Sequence, residues 1–143
     1  MLDVQHESFA GGDYLALLRR HGVGSVLTDS LAHGAFADLS GELVYLQLRN
    51  TAAHQPQGYA EPELVQWAER AIRWARGDEP EDLPRLQPAG PADRPRDVFV
   101  LFINGAKLRN PAAAMALLKA LERQSSSAGL AARVGLEPTT KGL

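Results

Sequence analysis

Residues 97–107, DVFVLFINGAK, constrain the fold of this chain more than any other stretch. Six apolar residues run without a break from Val98 to Ile103, three of them β-branched and two of them phenylalanine. A run so short and so continuously apolar suits a strand buried on both faces, as in a parallel sheet covered by helices. It stops at the turn pair Asn104-Gly105, followed by Lys107 and then by Asn110-Pro111, which reads as an N-cap with proline at the first helical position. The helix predicted over 111–123 carries Ala114, Leu117, Leu118 and Leu121 along one stripe. Strand, polar loop and returning helix form one βα unit, and the rest of the chain follows the same plan.

Residues 2–6 (LDVQH) alternate apolar and polar and read as a first short strand. Gly11-Gly12-Asp13 opens a helix that closes on Arg19, Arg20 and His21, with Gly22 just past its end. Residues 23–28 read as a second strand ending at Asp29-Ser30, and the weakly patterned stretch 31–40 holds at most one irregular helical turn. Residues 42–48 (ELVYLQL) read as the third strand, ending at Arg49-Asn50, with a polar loop over 51–58. The helix predicted over 61–76 has Pro62 in its first turn between two glutamates and Gly77 after its end. Its buried stripe runs through Leu64, Trp67, Ala68, Ala71, Trp74 and Ala75, while Arg70, Arg73 and Arg76 read as a solvated face. Residues 78–96, punctuated by Pro80, Pro84, Pro88, Pro91 and Pro95, read as a long surface loop. Four strands joined by crossover-length connections predict parallel pairing. The expected fold is α/β: a parallel-stranded partial TIM-type barrel of about four βα units out of eight.

A length of 143 residues fits one ordinary domain and is too short for a whole barrel of about 250 residues. The net charge of −2 argues against a general nucleic-acid-binding surface. No apolar stretch approaches the roughly 18 residues of a membrane span. The opening MLDVQHESF lacks the basic region and apolar core of a secretory signal. Cysteine is absent, which excludes disulfides and thiolate chemistry. A cytoplasmic protein with neither membrane nor nucleic acid among its partners is expected.

Three blocks resemble the C-terminal half of the YecE-like family, known as domain of unknown function 72. The first is LDVQHESF followed by LLRRHGVGSVLTDS; the second is LVYLQLRN, then GY and LVQWAERAIRWA; the third is DVFVLFINGAK with PAAAMALLKAL. The resemblance implies a TIM-type barrel whose earlier βα units are missing from this chain, so that residues 1–123 form a partial barrel domain. Two family arginines are replaced, by Gln5 and Gln47, and Arg49 stands where many members carry histidine. The terminal RVGLEPTTKGL is similar to a peptide produced when a reading frame runs into a transfer-RNA gene on the opposite strand. Residues 125–143 are accordingly expected to be a disordered read-through tail.

In a barrel the chemistry sits where strands end and lead into helices. That rule selects His6 and Glu7, Asp29 and Ser30, Arg49 and Asn50, and residues 104–107. His6 with Asp29 fits either an oriented general base or a structural hydrogen bond. Arg49, Asn104, Gly105 and Lys107 are the ligand-binding candidates, because a glycine turn and a cation before a helix suit an anion. The loop lacks a Walker or dinucleotide glycine pattern, and the same residues also suit plain turn chemistry. Ser30 and His33 lack a nucleophile-elbow context, and the four histidines lack metal-ligand spacing. No cofactor is indicated. The expectation is a truncated domain without independent catalysis, with a homodimer through open sheet edges as a route to closure. The alternative is a barrel enzyme acting on a small polar or phosphorylated ligand at the C-terminal ends of the strands.

Overall fold

A computed structural model describes residues 12–29, 37–87, 94–103 and 105–128. Its elements are α1 (Gly12–Arg20), β1 (Val26–Thr28), β2 (Leu43–Leu48), α2 (Glu61–Ala75), β3 (Asp97–Phe102) and α3 (Asn110–Ala128), with a 3-10 turn at Lys107–Arg109 before α3. The three strands pair in parallel in the order β1-β2-β3. The molecule is therefore α/β with a parallel sheet, as the apolar runs predict. The first strand expected at residues 2–6 lies outside the described residues.

Both Gly22 and Gly77 take positive φ and end their helices in Schellman motifs. After α1, the Val23 N–H reaches Leu18 O at 2.9 Å and the Gly22 N–H reaches Arg19 O at 3.2 Å. After α2, the Asp78 N–H reaches Arg73 O at 2.8 Å and the Gly77 N–H reaches Trp74 O at 3.0 Å. The first motif also shortens the strand expected over 23–28. The Val23 amide is already used, and Ser40 Oγ donates to Val23 O at 2.8 Å while accepting from the Ser25 N–H at 3.0 Å. Regular pairing begins only at Val26.

Along β2 the side chains alternate, as a strand's period of two requires. Val44, Leu46 and Leu48 are buried in one core with Leu64, Trp67, Ala68 and Trp74 of α2 and Ala113, Leu117 and Ala120 of α3. From β3, Val98, Val100 and Phe102 pack on the same side. On the opposite side of the sheet no helix among the described residues packs in the same way, and Phe99 is 48% exposed and Leu43 44%. The expectation that residues 98–103 are buried on both faces is therefore corrected. Helices α2 and α3 cover one face, and β3 is half-solvated on the other.

Two further corrections concern caps and charges. Asn110 does not cap α3; it has helical φ and ψ of −58° and −44°, and its own N–H bonds Lys107 O. Its side chain instead donates to Phe102 O at 3.4 Å and accepts from Thr51 Oγ1 at 2.8 Å. Helix α3 also runs on to Ala128, beyond the predicted Arg123. Arg73 and Arg76 are exposed, but Arg70 is not simply solvated. Its guanidinium lies 4.3 Å from the Trp67 ring centre and bonds Asp82 at 2.9 Å.

Within the loop expected over 78–96, the described residues form no helix or strand, yet they are fastened. Asp38 is fully buried and accepts the N–H groups of Leu86 and Gln87 at 2.7 and 3.0 Å. Arg85 lies 3.6 Å from Asp38 and also pairs with Glu79. Nothing in the weakly patterned stretch 31–40 had marked Asp38 as an anchor.

Candidate functional site

Parallel strands all end on the same edge of a sheet, so Asp29 after β1, Arg49 after β2 and Gly105 after β3 lie on one rim. The contacts there are specific. Asp29 Oδ1 accepts the Arg49 N–H at 2.7 Å. Asp29 Oδ2 accepts the Asn50 N–H at 3.3 Å and the Tyr59 hydroxyl. The Tyr59 oxygen in turn accepts the Asn50 N–H at 2.9 Å, and Asn50 Nδ2 donates to Asp29 O at 3.1 Å. A single carboxylate thus ties the end of β1 to the start of the loop after β2.

The β3 end joins through Thr51. The Ala106 N–H donates to Thr51 O at 2.9 Å, and Thr51 Oγ1 bonds Asn110. Gly105 has φ +58°, and a Cβ there would stand 2.5 Å from Thr51 Oγ1 and 2.8 Å from Arg49 O. Only glycine combines that conformation with that approach. Of the candidate residues, Asp29, Arg49 and Gly105 are brought together. Lys107 is exposed at the start of the 3-10 turn on the same rim. His6, Glu7, Ser30, His33 and Asn104 lie outside the described residues. Thr51 and Tyr59 were missed by the strand-end rule, and the only signal for Tyr59 was the Gly58-Tyr59 pair just before α2.

The family model described as "Protein of unknown function DUF72" matches residues 1–136. The chain belongs to this family. No curated protein and no solved structure matches it.

Tyr59 is buried, with its ring edge-on to Phe102 at a centroid distance of 6.1 Å. Burial, followed by the hydrogen bond and charge of Asp29, pushes its phenol well above the usual value of 10.0. Tyr59 is a permanent donor at neutral pH and unsuited to act as a base. Arg49 folds back along its own strand, with Nε donating to Gln47 Oε1 at 3.1 Å and Nη2 to the same oxygen. Because residues two apart share a face, this places the guanidinium over the half-solvated side of the sheet. Among the described residues, no group of three or more His, Asp or Glu side chains could hold a metal. Also among them, no helix is long and apolar enough to cross a membrane.

Proposed function

We propose that this DUF72 chain is part of a YecE-like, TIM-type barrel whose strand-end rim binds a small polar or anionic ligand and does not catalyse a reaction by itself. The observation that carries this reading is the use of Asp29. Both of its oxygens are taken up in holding the main chain at Arg49 and Asn50 and the hydroxyl of Tyr59. The carboxylate builds a platform for a cation, whereas a general base needs an oxygen or nitrogen aimed at substrate. The sequential parallel order β1-β2-β3, with α2 and α3 on one face, supports the barrel-type reading. Glycine at 105 and cations at Arg49 and Lys107 support an anion at the rim.

The test is calorimetric titration of the full chain with inorganic phosphate. Arg49→Ala and Lys107→Ala should each weaken binding about tenfold or more, the loss of one charge-assisted contact. Unchanged affinity in both variants removes the reading. A second reading, a barrel enzyme at the same rim, is favoured by the convergence of three strand ends where barrel enzymes carry their chemistry. Turnover of a phosphorylated or other small polar substrate that depends on Asp29 would establish it. The outer edge of β3 pairs with no strand among the described residues. That edge supports a homodimer as a proposal, to be checked by sedimentation.

A further inference from the structure

Helix α3 carries no charge where a surface helix ordinarily does. From Asn110 to Leu118, about two and a half turns, no side chain is charged. Its buried side is accounted for by Ala113, Leu117 and Ala120 in the core. On the other side Leu108, Pro111, Ala112 and Met115 follow at spacings of three and four, which keeps them on one face. Leu108 is 96% exposed and Met115 55%. Helix α2 packs beside α3 with an ordinary solvent face, where Glu63, Gln66, Glu69 and Arg73 are exposed. An apolar outer face on the neighbouring helix points to a cover. In a barrel this face looks outward from the helix ring, so the next helix of the ring, which packs on a flank, leaves it open.

Cations frame this face. Lys107 and Arg109 stand at one end, Lys119 and Arg123 at the other, all exposed, and Glu122 is the only acid between Asp97 and Gln124. Both ends are therefore positive, and a second copy laid along the face in either direction would meet like charge. The apolar part, from Leu108 to Met115, is about 10 Å long. Such a convex strip falls well short of the roughly 800 Å² per partner of a stable protein interface. A bilayer needs no matching pocket and gains from apolar side chains with cations around them. We propose that the outer face of α3 contacts the surface of an anionic lipid bilayer, with Leu108 and Met115 entering the headgroup region and Lys107, Arg109 and Lys119 on the lipid phosphates. No helix among the described residues can span a membrane, and surface contact needs none. Apart from Lys107 the contact is separate from the rim, so either reading can fail alone.

The experiment mixes the full chain with sedimentable vesicles of phosphatidylcholine, alone or in equal parts with phosphatidylglycerol. The protein should sediment with the anionic vesicles and stay in solution with the neutral ones, and binding should weaken as salt is raised. Leu108→Ser and Met115→Ser should each weaken it about tenfold and Lys119→Gln about fivefold, with the urea midpoint and the phosphate titration of the unaltered chain retained. Absence of sedimentation with anionic vesicles overturns the inference, as does vesicle binding indifferent to all three variants. Loss of vesicle binding on adding inorganic phosphate at constant ionic strength would trace the contact to the rim and overturns it too. Binding of poly-L-glutamate in place of vesicles would make the cover an acidic protein, and a dimer that Leu108→Ser dissociates would make it a second copy; with either result the inference falls.

Discussion

The hydroxyl of Tyr59 joins a carboxylate to a main-chain amide, so its removal is felt at both. Tyr59→Phe keeps the ring against Phe102 but withdraws the donor to Asp29 and the acceptor for Asn50. The expected loss is about 1–3 kcal/mol, read as a lower urea midpoint at unchanged slope. Amide exchange at Arg49 and Asn50 should accelerate in the same variant. The pH dependence follows from the direction of the shift. The folded phenol titrates above its ordinary 10.0, so its contribution is complete below about pH 10 and declines as the pH rises further. An alkaline titration followed at 295 nm should leave one tyrosine protonated until the protein unfolds. Asp82 has the opposite sign: the hydrogen bond from Arg70 lowers its pKa, so its contribution is present above the ordinary 3.8 and lost on acidification. With Asp82 half exposed, that pair is worth about 0–1 kcal/mol.

At the scale of elements, two glycines with nearly the same φ separate conformational strain from contact. Gly22 ends α1 at φ +63°, and an added Cβ would meet nothing within 4 Å. Gly22→Ala should cost only the left-handed penalty, about 1 kcal/mol. Gly105 ends the β3 unit at φ +58°, with backbone atoms of residues 49 and 51 closer than 3.0 Å to any Cβ. Gly105→Ala forces the β2 and β3 loops apart and should cost at least twice as much, with weaker phosphate binding as the accompanying loss. Equal destabilisation of the two variants in urea would show that the rim loops are not in close register. The sequence marked both glycines as turn residues and could not rank them, because the difference lies in a neighbour more than 50 residues away in the chain.

Across the whole molecule, the covered face of the sheet and the fastened loop are held by different forces. Trp67 and Trp74 share one apolar cluster with β2 and α3. Their near-ultraviolet dichroism should therefore disappear in a single cooperative transition on heating. The loop before β3 depends on Asp38, which is wholly buried beside Arg85. Asp38→Ala leaves the Leu86 and Gln87 amides without their acceptor while Arg85 keeps Glu79, and should destabilise by about 1–3 kcal/mol per amide. The exposed pair of Arg73 with Asp78 at 3.2 Å provides the contrast: Arg73→Ala should cost under about 1 kcal/mol. A comparable loss in the two variants, measured by urea unfolding, would mean that Asp38 does not anchor the loop.

Local rules made most of the elements legible. Helical periodicity located α2, a glycine past each end located its stop and that of α1, and continuous apolar runs located β2 and β3. The strand-end rule also placed Asp29, Arg49 and Gly105 at one edge, because a parallel sheet collects all its C-terminal ends there. These signals depend on neighbours a few residues apart, so the sequence by itself determines them. Tertiary structure decided the rest. Asn110 reads as a cap from its neighbours, yet it is drawn into the helix because its side chain bonds Phe102 O and Thr51. An apolar strand cannot signal that only one of its faces is covered. Asp38 and Tyr59 acquire their roles from partners distant in the chain, and those partners exist only once the sheet has assembled.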